Sequence, residues 1–409
     1  MPRRVLLLGL GMQGRAVLHD LLHHDDSTVV TVADLAPGAD AQVGTYPPHR
    51  VRLVRLDVTD TQGVTSLMSR ADVVIEALPG PLALPMGELA AEAGVPLVSS
   101  MYYRNPREAD ATRRAATEQR LARVAERAAA RGISILTEFG LDPGLDLIMA
   151  RRALAEFERV DEFRSYGAGL PVPVHADNAL RYRFSWSPVG VLRSYARPAR
   201  LIREGAVVEI PAGRIFEPEH YHLLNVPALG DALECYPNGD AVHYADLLGL
   251  GGRVRESARY TGRWPGHCAI WHAMSKLGFL DPDPVDVGGA RVAPLEFTAL
   301  LLASQARFQY GPGDADLTFV RVDVRGLRKG MPAHVVYDLI DRRDFRTGLT
   351  SMQRTVGFTL ALGARLILGG PLAGRGLLTP LDVPYDQVFP ALAAHDIHVT
   401  RTELPGDRR

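Results

Sequence analysis

The stretch Gly9-Leu10-Gly11-Met12-Gln13-Gly14 decides how the N-terminal part of this chain folds. It follows the apolar run Val5-Leu6-Leu7-Leu8 and precedes a segment with helical spacing that runs from Arg15 to Leu22. A continuous apolar run of this length is typical of a buried parallel strand. A glycine-rich turn between such a strand and a helix is the arrangement that binds the pyrophosphate of a dinucleotide.

Each glycine of the turn has a separate purpose in that arrangement. Gly9 permits the tight turn, Gly11 lets the backbone approach the pyrophosphate, and Gly14 lets the helix pack closely on the strand. The motif alone is a weak signal, but the strand before it and the helix after it supply the context that it requires. We therefore predict cofactor contacts at Gly9, Gly11, Met12, Gln13 and Gly14.

Asp34 ends the next apolar run, Val29 to Ala33, and is the predicted ribose-binding residue. A carboxylate there accepts hydrogen bonds from a ribose 2′-hydroxyl and repels a 2′-phosphate. The residues that follow, Leu35-Ala36-Pro37, provide no arginine to hold such a phosphate. The sequence therefore favours NAD as the cofactor, with NADP as the other possibility.

Further apolar runs alternate with helical patterns, which indicates an α/β fold with a doubly wound parallel sheet of Rossmann type. The runs are Val51–Leu56, Val73–Leu78 and Pro96–Ser99, and a helical pattern covers Pro85–Ala93. Ligands bind at the carboxyl ends of such strands. Asp57, Leu78 and Pro79 are therefore further cofactor candidates, although Asp57 fits equally well as a cap for a helix over Thr59–Gln62.

Composition restricts the classes of partner. The chain has 409 residues, of which 46% are hydrophobic, enough for two domains, and its net charge of −1 gives no reason to expect nucleic acid or a membrane as a partner. No window approaches the roughly 18 apolar residues of a membrane span. The cysteines, Cys235 and Cys268, form no C-x-x-C pair, which favours a reducing, cytoplasmic location.

Two later stretches resemble a known family. They are Glu138-Phe139-Gly140-Leu141-Asp142-Pro143-Gly144 and the run from Gly169-Leu170-Pro171 through Phe184-Ser185-Trp186-Ser187-Pro188. Together with Tyr236-Pro237-Asn238 they resemble the saccharopine reductase family, the glutamate-forming saccharopine dehydrogenases. Looser relatives in that family are lysine 6-dehydrogenases and carboxynorspermidine dehydrogenases.

The resemblance implies a Rossmann-like domain completed by the C-terminal segment, over residues 1–130 and 350–409. It also implies an α+β catalytic and dimerisation domain over 131–349, with a helical insert at about 241–281, and hence a homodimer. In that second domain we expect strands at Arg181–Phe184, Val207–Ile210 and Val320–Val324, and we expect a helix over Ser351–Leu368 that returns to the first domain.

The implied chemistry is reversible hydride transfer between a nicotinamide and the carbon of an amine in a small, amino acid-derived substrate. A lysine 6-dehydrogenase-like or carboxy(nor)spermidine dehydrogenase-like enzyme is the alternative, and a non-catalytic nucleotide-binding protein is a remote one. The resemblance carries catalytic roles to Tyr102 and Asp142. Tyr102 also fits as packing at a domain seam, and Asp142 as a helix cap before Pro143.

The same resemblance implies substrate contacts at Ser100, Gly169, Trp186, Ser187, Ser257 and Arg259. Ser100 or Tyr103 would replace a serine that relatives carry where this chain has Met101. Trp186 also fits as a core residue and Arg259 as a surface ion pair. Relatives carry an arginine at the position of Gly239, which favours a substrate with fewer carboxylates. Glu217, Glu219, His220 and His222 cluster, but their spacing matches no zinc motif, so we expect no metal.

Overall fold

The computed structural model describes residues 2–104 and 110–405. The chain divides into two compact units, and the first comprises Met1–Ile148 with Gln353–Asp396. The second unit comprises Met149–Met352 with Ile397–Arg409. Residues 131–148, which we expected in the second domain, therefore lie in the first unit. Residues 397–409, which we expected in the first domain, lie in the second unit.

The strands and α-helices of the described residues follow in chain order. The strands are β1 Arg3–Leu8, β2 Thr28–Ala33, β3 Val51–Val54, β4 Val73–Glu76, β5 Leu97–Ser99, β6 Ser134–Leu136, β7 Arg159–Pro171, β8 Ala199–Arg203, β9 Ala206–Ile210, β10 His222–Val226, β11 Asp231–Pro237, β12 Glu256–Arg263, β13 Val285–Val287, β14 Ala290–Val292, β15 Asp316–Arg328, β16 Met331–Arg342, β17 Gly376–Leu378 and β18 Val399–Leu404. The α-helices are α1 Met12–His24, α2 Ala39–Val43, α3 Thr61–Met68, α4 Ala83–Ala93, α5 Ala111–Arg131, α6 Leu145–Leu154, α7 Pro188–Tyr195, α8 Ala241–Leu247, α9 His267–Lys276, α10 Pro294–Ala303, α11 Ser351–Leu368 and α12 Tyr385–Ala393.

The first unit contains a seven-stranded sheet in the order β17-β6-β5-β4-β1-β2-β3, and every pairing in it is parallel. The chain winds from β1 toward β3 and then from β4 toward β6, so right-handed crossovers put helices on both faces. Leu7, Leu8 and Ile75 have no exposed surface, as expected of a sheet covered on both sides. The Rossmann-like prediction is confirmed, and β17 completes the sheet from the C-terminal segment.

A buried ion-pair cluster joins α1 to the C-terminal part of the same unit. The side chain of Asp20 has no exposed surface, and its Oδ2 pairs with the guanidinium of Arg365 on α11. Its Oδ1 lies 3.1 Å from Nε2 of His395. Gly357 permits the close approach of α11, since a Cβ there would lie 2.5 Å from the Cβ of Ala16.

The second unit contains a nine-stranded sheet in the order β10-β11-β12-β7-β15-β16-β18, in which β8 also pairs with β12 and β9 pairs with β8. The β12–β7 pair is parallel, and the other pairs are antiparallel. The segment 241–281, expected as a helical insert, contains α8 and α9, but the strand between them, β12, lies inside this sheet. The segment is therefore an integral part of the sheet.

The strand expected over Arg181–Phe184 is wrong, because these residues form a loop. The side-chain oxygen of Asn178 accepts hydrogen bonds from the backbone N–H of Leu180, at 3.0 Å, and of Tyr182, at 3.3 Å. Local side-chain bonds of this kind compete with a strand ladder for the backbone donors. The strands expected at Val207–Ile210 and Val320–Val324 lie within β9 and β15, and α11 has the expected bounds.

We predict that Asp20→Asn lowers the free energy of unfolding by about 3 kcal/mol, because it leaves the guanidinium of Arg365 buried without its counter-charge. The matched control is Asp26→Asn, whose carboxylate is fully exposed beside Arg50 and should contribute less than about 1 kcal/mol. Guanidinium-induced unfolding of both variants measures the difference. Equal losses would contradict the assigned role of Asp20.

Candidate active site

The glycine turn after β1 has the geometry that the motif requires. Gly9 has a φ of 91°, and a Cβ there would lie 2.7 Å from the carbonyl oxygen of Ala77. A Cβ on Gly14 would overlap the carbonyl oxygen of Gly9. By contrast, among the described residues, nothing beyond the adjoining chain lies within 4 Å of the position that a Cβ on Gly11 would take. The turn is therefore closed on its protein side and open at Gly11.

The N-terminus of α1 is arranged to receive an anion. Its N-cap is Gly11, which makes no side-chain cap, and its first turn carries no acidic residue. Met12 and Gln13 begin the helix, so their backbone N–H groups have no intrahelical acceptor. Unpaired N–H groups and the helix dipole both favour negative charge at this end.

Asp34 stands at the carboxyl end of β2, beside the glycine turn. Its carboxylate accepts hydrogen bonds from the N–H groups of Leu10 and Ala36, both at 2.5 Å. Asp57 is exposed and binds the N–H and hydroxyl of Thr59, which lower the pKa of its carboxyl. The cap of α3 is Asp60, so the alternative reading of Asp57 as the helix cap is wrong.

Arg55, which the sequence reading missed, lies next to this end of β2. Its Nη1 donates to the carbonyl oxygens of Leu35, at 3.1 Å, and Ala36, at 3.0 Å, and it pairs with Asp40. The side chain is 44% exposed. The residues directly after Asp34 could not predict this contact, because Arg55 belongs to the segment that follows β3.

Loops after β4, β5 and β6 meet along the same carboxyl edge. Phe139 N–H donates to the carbonyl of Ser99 at 2.9 Å, and Glu138 N–H donates to that of Met101 at 3.2 Å. A Cβ on Gly140 would lie 3.1 Å from the Cβ of Ser100. These contacts bring the Ser100–Tyr102 segment next to the segment that leads into Asp142.

Tyr102 and Asp142 are both half-buried. The helix after Asp142 begins only at Leu145, and Asp146 Oδ1 accepts the Gly144 N–H at 2.9 Å at its start. Asp142 therefore lies three residues before the first residue of that helix. Tyr103 is 5% exposed and its hydroxyl packs on Gly87, so it is a core residue, and Ser100 is the remaining candidate for the serine role.

Glu76 is the charged residue at this edge that sequence reasoning missed. It is fully buried at the end of β4; its carboxylate accepts from Leu78 N–H at 2.7 Å and from the hydroxyl of Ser99 at 2.5 Å. Leu78 is half-buried and Pro79 is exposed in the loop that follows. Burial raises the pKa of Glu76 to about 7. One carboxyl group thus ties the loop after β4 to the loop after β5.

In the second unit, Gly169 lies on β7, where the lack of a side chain lets Met352 and Ser185 pack closely. A Cβ there would lie 2.6 Å from Met352 Cε and 3.2 Å from Ser185 Oγ. Ser187 caps α7 by accepting the Gly190 N–H at 3.2 Å. Trp186 is 36% exposed, and its ring lies over Gly190. Trp186 is therefore not the core residue of the alternative reading.

Ser257 and Arg259 lie on β12, where Arg259 pairs in register with Ser165 of β7. Residues two apart on a strand share a face, so both lie on the same face of the sheet as Gly169. Ser257 is 1% and Arg259 8% exposed, and the Arg259 guanidinium stacks 4.1 Å over the Tyr244 ring. Arg259 is thus a buried residue and does not lie at the surface.

The acidic and histidine cluster forms an ion-pair network. Ligand atoms of Glu217, Glu219 and His220 lie within 4.8 Å of one another. Glu217 pairs with Arg214 at 2.6 Å and Lys276 at 2.9 Å, and the hydrogen bond from Arg214 is the main reason that its pKa is well below the usual value. His222 lies instead 3.3 Å from the hydroxyl of Tyr166.

Comparison with known proteins identifies two matching domains in this chain. Residues 5–136 match the "Saccharopine dehydrogenase NADP binding domain", and residues 140–397 match the "Saccharopine dehydrogenase C-terminal domain". The chain belongs to the saccharopine dehydrogenase family.

Named relatives cover this chain to different extents. The mouse mitochondrial alpha-aminoadipic semialdehyde synthase is 28% identical over 92% of this chain and 45% of its own length. The Saccharomyces cerevisiae saccharopine dehydrogenase [NADP(+), L-glutamate-forming] is 27% identical over 72% of this chain and 62% of its own length. The chain spans 37% to 47% of the plant and mammalian synthases that it matches.

The fold is shared with a solved structure of the family, the apo histidine-tagged saccharopine dehydrogenase (L-Glu forming) from Saccharomyces cerevisiae. The TM-score is 0.82 at 23% identity, with 98% of this chain and 100% of that chain covered. Within the described part of this saccharopine dehydrogenase family member, no helix is long and apolar enough to cross a membrane.

Gly239, at the position where the resemblance implies an arginine, follows β11 and has a φ of 68°. The guanidinium of Arg197 lies beside it, with Nη1 3.8 Å from where a Cβ on Gly239 would be. Nη2 of Arg197 donates to Asn238 Oδ1 at 2.5 Å. A positive charge is therefore present beside position 239 although the residue itself carries none.

The raised pKa of Glu76 predicts a pH-dependent stability. The folded protein holds this proton more tightly than the unfolded chain, whose carboxyl has the ordinary pKa of 4.5. The stabilisation that this tightly held proton gives the folded protein is complete below pH 4.5 and is lost as the pH rises through about 7.

We expect Glu76→Gln to reduce the loss of stability between about pH 5.5 and about pH 8 by about 2 kcal/mol. Chemical unfolding at both pH values measures it. Glu88→Gln, which changes a partly exposed carboxylate paired with Arg120, should keep the wild-type slope. A slope unchanged in Glu76→Gln would contradict the assignment.

Proposed function

We propose that this chain is an NADP-dependent oxidoreductase that acts on the CH–NH bond of an amino acid-derived secondary amine of the saccharopine type. One observation carries the proposal: the open glycine turn and the adjoining loops of Ser100 and Asp142 lie on one carboxyl edge of the same parallel sheet. Open α/β sheets bind their ligands at that edge. The family membership supports the same reaction class.

The residues at the edge fit a dinucleotide. The N–H groups at Gly11, Met12 and Gln13 would hold the pyrophosphate, and the carboxylate of Asp34 would face the adenine ribose. The nicotinamide supplies hydride chemistry when bound. The protein supplies orientation through the loop at Leu78 and Pro79, whose backbone Glu76 fixes.

The family description favours NADP over the NAD that Asp34 suggested, and Arg55 gives a physical basis for it. Its guanidinium lies against Leu35 and Ala36, directly after Asp34. A 2′-phosphate would take over the hydrogen bonds that Arg55 now gives to Asp40, and Arg binds phosphate bidentately.

We expect Arg55→Ala to weaken NADP binding about tenfold or more and to leave NAD binding within about twofold, since only NADP carries the phosphate. Titration calorimetry with each nucleotide separates the two. Arg52→Ala, a change at an exposed position of β3, is the control. Equal weakening of both nucleotides, or of neither, would remove Arg55 from the specificity site.

In the oxidative direction, the carbon next to nitrogen would give up a hydride, which a bound nicotinamide would accept, and the nitrogen would lose a proton. Water then hydrolyses the imine to a carbonyl compound and a free amine. Asp142 and Tyr102 would stabilise the charged nitrogen and move its proton. Ser100, Gly169, Trp186, Ser187, Ser257 and Arg259 would contact the rest of the substrate.

The test is the absorbance at 340 nm of the purified chain with NADP or NAD and with saccharopine, lysine, or a lysine-derived aldehyde paired with an amino acid or a polyamine. We expect turnover with saccharopine and NADP, and a kcat about 10²-fold lower in Asp142→Asn at unchanged cofactor affinity. Asp26→Asn should match the wild type.

Turnover only with lysine or a polyamine pair would favour the second candidate, to which the departure at Gly239 points. Cofactor binding without any turnover would favour the non-catalytic protein. A homodimer and a cytoplasmic location stay predictions; exposed apolar residues on α10, namely Phe297, Leu300 and Leu301, are available for a second copy.

A further inference from the structure

Arg263, the last residue of β12, is a buried cation in an unusual setting. It is 5% exposed. Its Nε donates to the hydroxyl of Tyr195 at 3.3 Å, its Nη1 donates to the carbonyl of Gly262 at 2.9 Å, and its guanidinium lies 4.5 Å over the ring of Tyr182. All of these partners are uncharged.

No carboxylate in the described part of the chain lies within ion-pair distance of Arg263, whereas two other buried arginines of this unit have one. Arg321 pairs with Asp338 through two bonds of 2.7 Å, and Arg183 pairs with Asp314 at 2.8 Å. Glu234 faces Arg263 in register, but its carboxylate binds the N–H groups of Gly266 and Cys268. A buried charge without a counter-charge is costly, so Arg263 does not stabilise the fold through an ion pair.

Buried hydroxyls around this guanidinium also lack well-aligned partners within the described residues. The side-chain oxygens of Tyr182, Ser185 and Tyr236 make no well-aligned hydrogen bond there, although Ser185 lies beside Tyr182 and Tyr195 lies beside Tyr236, and each of the three residues is 2% exposed. Buried polar groups are nearly always satisfied, so three such groups near one unpaired cation indicate a missing polar occupant.

This cluster borders the substrate-binding residues already described. Thr261 pairs with Gly167 of β7, so Arg263, two residues further along, lies on the same face beside Gly169. Trp264 continues the contact through its Nε1–H bond to the carbonyl of Pro171 at 2.8 Å. Gly169 in turn packs directly against Ser185, since a Cβ there would lie 3.2 Å from Ser185 Oγ.

We propose that Arg263 binds a carboxylate group of the substrate, with the hydroxyls of Tyr182, Ser185 and Tyr236 as further donors. A carboxylate supplies the charge that Arg263 lacks and accepts up to four hydrogen bonds, which is what this set of donors offers. The assignment rests on the proposed function for the identity of the ligand, but the binding of a carboxylate can be measured without turnover.

The experiment compares the full chain with Arg263→Met, Arg263→Lys and the matched control Arg321→Met, which removes an equally buried arginine that has its own carboxylate. Calorimetry with saccharopine and with glutarate measures affinity; 1,5-diaminopentane, which has no carboxylate, is the negative probe. Thermal unfolding without ligand is recorded for every variant.

We expect Arg263→Met to weaken binding of both carboxylates about tenfold or more, with Arg263→Lys intermediate and Arg321→Met unchanged. Without ligand, Arg263→Met should unfold within about 2 °C of the wild type, because it removes an unpaired charge. Arg321→Met should unfold about 5 °C lower or more, because it leaves Asp338 unpaired.

Three outcomes would overturn the assignment: the wild type binds neither carboxylate, Arg263→Met binds both as the wild type does, or Arg263→Met loses as much stability as Arg321→Met with unchanged affinity. The last result would make Arg263 a structural cation. Carboxylate binding that depends on Arg263 without any turnover would contradict the proposed function but support the assignment of Arg263 as a carboxylate-binding residue. Turnover with a KM that Arg263→Met does not change would support the proposed function but contradict the assignment of Arg263.

Discussion

Every strand of the first sheet runs parallel to its neighbours, and the candidate active site depends on this one constraint. Parallel strands deliver all their carboxyl ends to the same edge, so residues far apart in sequence become neighbours there. Gly9, Asp34, Glu76, Ser100 and Thr137 each follow or end a different strand of this sheet. Glycines close the turn after β1, because any side chain at 9 or 14 would collide with backbone.

Buried charge is handled in three different ways in this molecule. Asp20 with Arg365 and Arg321 with Asp338 are neutralised by pairing. Glu76 is buried with hydroxyl and amide donors only, so its proton is held to higher pH than an ordinary carboxyl group. The guanidinium of Arg263 has neither a carboxylate partner among the described residues nor a proton that it can lose near neutral pH. This contrast distinguishes the paired charges, which stabilise the fold, from the guanidinium of Arg263, which we propose binds a ligand.

The accuracy of the sequence predictions follows the range of the interactions behind them. The glycine turn, the strand ends and α11 were predictable because short apolar runs and glycine spacing are local signals. The failures involve contacts at longer range or side-chain bonding. The Arg181–Phe184 loop has a strand-like composition, but Asn178 captures its backbone donors. The strand β12 was hidden between two helical patterns, and its partner β7 lies about a hundred residues earlier.

By itself, the sequence determined the Rossmann-like sheet, the dinucleotide turn and the family, since each rests on residue types at fixed spacing. Only the tertiary structure decided which charges are paired. Arg55 reaches the end of β2 from the loop after β3, Glu76 joins two loops, and Arg263 lies among tyrosines contributed by other segments. Pairing depends on distance and burial in three dimensions, and neither quantity is encoded in the local order of residues.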